Sequence, residues 1–418
     1  MKNKNFLGFN NNRKKNQYRY MLLENGFSKK DLDIGSKILK SGNITMNTET
    51  KKFEEAFAKK LNVKYAVMTN SGSSANLLAA FAACNPLRKN RFKKGDEVII
   101  PALCWPTSLW PLHQTGLKIK FVDINPKTLN VDAQEIISSV TKKTKVIMLV
   151  NVLGISSNNQ KIKDFAKKKN LIVLEDNCEA LGAKLNKKHL GTFGDFGTFS
   201  FFYSHQITSG EGGMIVCHDK NDYEILVSLR SHGWSRSNNP KQYLMYAKKY
   251  PKIDPRYIFI NQGFNLRPTD VQAAIGHSQF KRLNKFIKMR SENKNKIIES
   301  LKNDYRWKNQ FSFVDIPKNI FPSYMGLPIQ LNKNMTKEIK MKLLHHLESK
   351  GVETRPILTG NFLNQPSIKL FGISKKKIKF KGVQTVEDLG FLIGLHTKKI
   401  AQKHINLIKN SLFHINSL

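Results

Sequence analysis

A single histidine, His205, stands where this chain has the groups for proton chemistry. Residues 197–213 open with small and aromatic side chains that read as a short buried strand, and they close on Gly210-Glu211-Gly212-Gly213, where the backbone must bend. Between the two, His205 sits among hydroxyls: Ser200, Ser204, Thr208 and Ser209. An imidazole with an ordinary pKa can take up a proton and return it near neutral pH. The chain holds 70 Lys and Arg residues, yet no lysine lies between Lys188 and Lys220. A lone histidine in a Gly/Ser turn is more often a core or surface residue, so its meaning depends on its company.

Other segments supply that company. In 70–80, Asn-Ser-Gly-Ser-Ser leads from a strand into an apolar helix. Free N–H groups and the positive dipole end there suit a phosphate at Gly72, Ser73 and Ser74, although Ser-rich caps begin many helices. Trp105 follows the strand 96–101; it either stacks on a flat ring or packs on core. Asp176 ends the apolar run 171–174, with Glu179 three residues on. Ligand sites of α/β sheets form at such strand ends, and the alternative is a helix-capping Asp. Residues 230–236, with His232 and Arg236, form a polar cationic turn whose ordinary reading is a surface loop. Glu353 and Arg355 lie in a strand-to-loop segment, 351–357.

The elements that must position these residues alternate. Helices are expected at 31–39 and at 48–61, where Phe53, Phe57 and Leu61 recur at helical spacing. Strands are expected at 65–69, 96–101, 118–122, 146–150 and 171–176, a loop at 102–108, and helices at 133–140 and 160–168. That order predicts a doubly wound α/β domain. A helix from Pro268 to about Met289 leads into a second domain with a helix at 294–301, a strand at 326–331 and a helix at 336–350. The expected division is an arm at 1–30, a large domain at 31–289 and a small domain at 290–418.

With 418 residues, of which 40% are apolar, the chain is long enough for two domains with ample core. No apolar run approaches a membrane span, and the charged start is not followed by a signal-peptide core. The four cysteines, Cys84, Cys104, Cys178 and Cys217, are widely spaced and suggest a reducing cytoplasm. The formal net charge is +39, which raises nucleic-acid binding as a reading. The lysines, however, are scattered from Lys2 to Lys409, with dense runs at 167–169 and 375–377 on expected surface elements. Compositional drift is the favoured account, with steering of an anionic substrate as a side effect.

The ordered set Gly72-Ser73, Trp105, Asp176, Ser200, His205 and Asn265 resembles the sugar aminotransferase-like family of pyridoxal phosphate (PLP) enzymes, from about Lys51 onward. The segment 265–274 is close to that family's NxR-x-(T/S)D-x-QAA pattern. The resemblance implies an α/β fold of the aspartate aminotransferase type: a large, mostly parallel sheet and a smaller C-terminal α/β domain. It implies that Gly72, Ser73, Ser74 and Ser200 hold the cofactor phosphate and that Trp105 covers the pyridine ring. Asp176 would keep the ring nitrogen protonated, as an electron sink requires, with Glu179 near the ring hydroxyl. Asn265 would reach the phosphate of a neighbouring subunit, making a homodimer with shared sites. His232, Arg236, Glu353 and Arg355 would face the substrate.

Family members hold a Schiff-base lysine at the position of His205. The exchange resembles the sugar 3-dehydratases, which remove the C3 hydroxyl of a nucleotide-linked 4-keto-6-deoxyhexose in deoxysugar and O-antigen biosynthesis. Glutamate would convert PLP to pyridoxamine phosphate, His205 would be base and acid, and hydrolysis would release a 3-deoxy sugar. Relatives that use an iron–sulfur cluster carry a cysteine group beyond the catalytic loop. Residues 218–418 contain no cysteine, so a cluster-free, metal-free type is expected, with no nucleic-acid or membrane partner. A sugar aminotransferase with a displaced lysine, a non-catalytic PLP-fold regulator and a nucleic-acid-binding protein remain as alternatives.

Overall fold

Runs of five to seven residues, most of them apolar and largely buried, become the strands of one sheet. They are β1 (Tyr65–Thr69), β2 (Glu97–Pro101), β3 (Lys118–Val122), β4 (Thr144–Val150) and β5 (Ile172–Asp176). After a small hairpin of β6 (Lys184–Leu185) and β7 (Lys188–His189) come β8 (Phe196–Ser200) and β9 (Gly213–Cys217). The structure is a computed structural model that describes residues 18–23, 26–237, 240–373 and 379–418. The lysine run 375–377 and most of the 1–30 arm lie outside the described residues.

The seven-stranded order is β1-β9-β8-β5-β4-β2-β3. β3, β2, β4, β5 and β8 pair in parallel, while β9 runs antiparallel to both β8 and β1. Both faces are covered by helices, which is why these strands read as continuous apolar runs rather than alternating ones. β1, β5 and β8 end on one edge, because Thr69 pairs with Gly213, Asp176 with Thr198 and Ser200 with Gly213. The hairpin 201–212 therefore leaves the sheet beside the ends of β1 and β5.

A second sheet is made of β10 (Phe311–Phe313), β12 (Gly326–Leu331), β14 (Gly390–Gly394) and β13 (Thr354–Arg355), in that order. It packs with the helices Lys337–Ser349 and Gln402–Leu412 around its own apolar core. β11 (Ile320–Phe321) pairs with β6 and so adds a third strand to the small hairpin between β5 and β8. Residues 19–22 are strapped onto the second sheet. Tyr20 is 1% exposed and donates its hydroxyl to the Gly394 carbonyl at 2.9 Å, while the Leu22 N–H reaches Glu353.

Several expectations are corrected. The loop 102–108 is shorter, because Pro106 starts a helix, Pro106–Gln114, with Trp105 at its N-cap. The helix expected over 268–289 is two helices, Asp270–Phe280 and Leu283–Lys302. The second absorbs the helix expected at 294–301, and residue 290, the expected domain boundary, lies in its middle. The helices Lys220–Arg230 and Pro240–Lys249 had no sequence assignment. The lysine run 167–169 forms the exposed last turn of the helix Asn159–Lys169, where cations suit the dipole.

One buried charge cluster pins the sheet. The Arg88 guanidinium pairs with Asp222 and Asp195, both at 2.8 Å, and lies over the Phe196 ring. Burial pushes the Asp222 carboxyl up against the pull of Arg88. Arg88→Met strips the cation and leaves Asp222 shielded from water. Urea unfolding of the variant should show a loss of about 3–5 kcal/mol with an unchanged slope; a loss below about 1 kcal/mol would show that the cluster is dispensable.

Candidate functional site

The edge where β1, β5 and β8 end opens into a cavity of about 490 Å³. The large domain supplies the helix start at 71–73, Trp105, the turn after β5 and the hairpin 201–212. The second sheet supplies Arg355, Pro356 and Leu358, and the strap supplies Leu22.

The cavity floor is fixed by close backbone approach. A Cβ on Gly72 would stand 2.5 Å from the Ser200 Cβ and 3.0 Å from Cys178 Sγ, and a Cβ on Gly213 would stand 2.3 Å from the Ser71 carbonyl oxygen. Glycine at both positions lets β1 and the hairpin meet. The Ser71 hydroxyl caps the helix Gly72–Ala83 by accepting from the Ser74 N–H. Ser73 and Thr107 share a hydroxyl contact at 3.0 Å. With the Ser200 hydroxyl and the free N–H groups at the helix start, these form a cradle for an anion.

Asp176 lies at the opposite side of the same floor and is 5% exposed. Its carboxylate accepts from the Asn76 amide at 2.8 Å, the Ser108 hydroxyl at 2.6 Å and the Cys178 N–H at 3.0 Å. Among the described residues no Lys or Arg pairs with it. Strand alternation sends its neighbour Glu175 to the other face, where four donors from Asn159, Gly191, Phe193 and Gly194 hold it.

His205 lines the cavity with Nδ1 shielded from solvent and free of any hydrogen-bond partner. Burial is the largest cause that pulls its imidazole down to about 4; the Ser200 backbone and the Asp176 charge oppose it, and Arg290 adds a smaller push in the same direction as burial. Burial likewise pushes the Glu179 carboxyl up to about 7, with the Asp176 charge adding to the shift and the Leu153 N–H opposing it. Cys178 is held well above the usual thiol range by burial and by Asp176. Among the described residues, no lysine lines the cavity.

The structure thus brings together Gly72, Ser73, Trp105, Asp176, Glu179, Ser200, His205 and Arg355. Trp105 stands half-exposed at the mouth. Ser74 is not on the wall, because its N–H and hydroxyl face Ser71 inside the cap. Glu353 is not on the wall either. Its carboxylate accepts from the Leu22 N–H at 2.8 Å and pairs with Arg355 at 2.7 Å, so it orients the strap and Arg355. Asn265, His232 and Arg236 lie outside this cavity. Asn265 is exposed and accepts from Arg267, while His232 and Arg236 pack on Trp234 at 4.8 Å and 3.7 Å.

Asn76, Ser108, Asn151, Thr107 and Glu211 join the site without a sequence assignment. For Asn76 the signal was available: a polar residue on the inner face of an otherwise apolar helix, Gly72–Ala83. The floor fits a flat, phosphorylated cation: an anion cradle, a half-exposed indole, and a buried carboxylate that only neutral donors stabilise.

Residues 28–377 match the model of the DegT/DnrJ/EryC1/StrS aminotransferase family. The chain is 36% identical over 389 residues to the GDP-4-keto-6-deoxy-D-mannose 3-dehydratase of Yersinia pseudotuberculosis, covering 93% of this chain and 97% of that protein. The solved structure of the E. coli enzyme of that name with bound hydrated PLP superposes with a TM-score of 0.85 at 33% identity, covering 95% of this chain and all of the other. A structure of the same enzyme with a trapped PLP–glutamate geminal diamine superposes at 0.83 with 33% identity, covering 94% of this chain and all of the other. The chain is a member of the DegT/DnrJ/EryC1/StrS aminotransferase family.

Proposed function

We propose that this chain is a PLP-dependent 3-dehydratase of a GDP-linked 4-keto-6-deoxyhexose, with glutamate as amino donor. The observation that carries the reading is His205 in a cavity where, among the described residues, no lysine lines the walls, on a floor that otherwise fits PLP. Relatives at this identity carry that activity in their names, and one solved relative holds PLP and glutamate together. An aminotransferase reading would need a lysine at the wall.

When bound, the cofactor supplies an amine for the sugar carbonyl and an electron sink for the carbon skeleton. The chain's own residues supply the rest. The helix start at Gly72 and Ser73, with Ser200, would hold the phosphate. Asp176 would stabilise a protonated ring nitrogen, and Trp105 would pack on the ring. Glu179, whose carboxyl burial raises to about 7, would serve the ring hydroxyl. Burial keeps His205 in its base form, ready to take a proton and return it to the departing C3 hydroxyl. Arg355 supplies a positive charge on the side of the second sheet, toward substrate carboxylate or phosphate.

Assembly is part of the proposal. Asn265, His232 and Arg236 lie away from their own chain's cavity, which suits a homodimer in which they complete the partner's site. The protein is taken to work in the cytoplasm; among the described residues no helix is long and apolar enough to cross a membrane. The reaction is taken to be cluster-free. Cys104 and Cys178 are held protonated by burial beside Asp176, the opposite of what a thiolate ligand needs.

Four outcomes test this reading. Borohydride should leave no cofactor fixed to the native protein. The variant His205→Lys should fix cofactor covalently while its dehydration rate falls at least ~100-fold; undiminished turnover would remove His205 from the reaction. Mixed dimers of Asn265→Ala and His205→Ala chains should regain activity that neither parent has, and silent heterodimers would refute shared sites. Iron-free protein given PLP, glutamate and ketosugar under anaerobic conditions should release 2-oxoglutarate and a 3-deoxy sugar. Turnover seen only after iron and sulfide reconstitution would refute the cluster-free assignment.

A further inference from the structure

Arg290 is among the largest fully buried side chains of the protein, at 1% exposure, and among the described residues no carboxylate pairs with it. It projects from the helix Leu283–Lys302 and spends its guanidinium on three backbone carbonyls. Nη2 donates to His205 at 3.0 Å, Nη1 to Gln206 at 3.1 Å and Nε to Leu395 at 3.0 Å. A buried, unpaired cation is expensive, and burial accordingly pulls this guanidinium down to about 10. An aliphatic side chain would fill the same space at lower cost.

The three carbonyls belong to two parts of the protein. His205 and Gln206 form the tip of the hairpin between β8 and β9, while Leu395 directly follows β14 of the second sheet. The Gln206 side chain completes the fixation by donating to the Glu179 and Ser323 carbonyls. A planar fork with donors in three directions can hold this arrangement, and a lysine ammonium on a flexible stem cannot reproduce it.

We propose that Arg290 is a positioning residue of the reaction: its grip on the His205, Gln206 and Leu395 carbonyls sets the catalytic hairpin against the second sheet. The reaction role rests on the dehydratase reading; the grip itself does not. A second consequence is electrostatic. The charged or titratable groups around the His205 imidazole are Asp176, Cys178 and Glu179 after β5, Glu211 on its own hairpin, Arg355 from the second sheet, and Arg290 beneath. Asp176 favours the imidazolium, whereas Arg290, together with burial, favours the neutral base. A displacement of the imidazole by about 1 Å can cost ~100-fold in rate, so the rigidity of this hairpin bears directly on turnover.

The test compares Arg290→Lys and Arg290→Gln with the native chain. Hydrogen–deuterium exchange should quicken at least ~10-fold in residues 201–212 and 395–396, and remain native elsewhere. With cofactor and substrate, kcat should fall ~100-fold while KM stays within ~3-fold. The acidic limb of the pH–rate profile should stay in place for Arg290→Lys and move to higher pH for Arg290→Gln. Native kcat in both variants, or exchange that quickens throughout the chain, would overturn the proposal. Titration of 15N-histidine in the native, cofactor-free chain gives a reading that needs no variant to fold. His205, assigned with His205→Asn, should stay neutral down to pH 5, and charging near its ordinary pKa would overturn the electrostatic role. If exchange and titration behave as stated but no ketosugar is dehydrated, the grip stands and the dehydratase reading falls.

Discussion

The site depends on one buried carboxylate that lacks a counter-charge. Asp176 is reached by an amide from the helix Gly72–Ala83, a hydroxyl from the helix Pro106–Gln114 and a backbone N–H from its own turn. Each donor comes from a different element, so the carboxylate fixes where those elements begin. Neutral donors stabilise the anion without cancelling its field. That leftover field raises Cys178 and Glu179 and opposes the neutral form of His205. It also defines what can bind well: a group that brings a positive charge to the floor of the cavity.

Around this floor the protein separates charge from flexibility. Catalytic groups stand on strand ends and helix starts, and the mobile alternative, a long loop, is avoided. The hairpin 201–212 is an exception in sequence only. Its two strands are neighbours in the sheet, glycine at 72 and 213 lets it sit against β1, and Arg290 holds its tip.

Much of this was legible in the sequence. The strand runs at 65–69 and 171–176 fell within a residue of the structure, because strands buried on both faces are continuous apolar segments between turn residues. The cavity floor was legible through resemblance: Gly72-Ser73, Asp176 and Ser200 are each weak signals alone, but their order matches a family pattern, and the structure brings them to one cavity. Ser74 and Glu353 stand off the cavity wall for one cause: both have side chains suited to ligands, but side-chain direction depends on caps and long-range contacts that local spacing does not encode. The helix Pro106–Gln114 was missed since Pro111 lies inside it, a residue that local propensity places elsewhere. Glu353 is the clearest case. A carboxylate two residues from an arginine suggests a substrate pair, yet the two pair with each other and the other carboxylate oxygen accepts from a backbone N–H 331 positions away.

The strap has a temporal meaning as well as a spatial one. Tyr20 donates to Gly394, 374 positions along the chain, and its ring stacks on His396 at 4.3 Å. Leu22, two residues on, is part of the cavity wall. Contacts of such separation form late, because the loop they close is nearly the whole polypeptide. During synthesis the large sheet can assemble around Asp176 while the wall opposite is still missing. The cavity is therefore finished only when residues 394–396 have left the ribosome and captured a segment made 374 positions earlier. A nascent chain can own the full cofactor floor and still be an open, unreactive half-site.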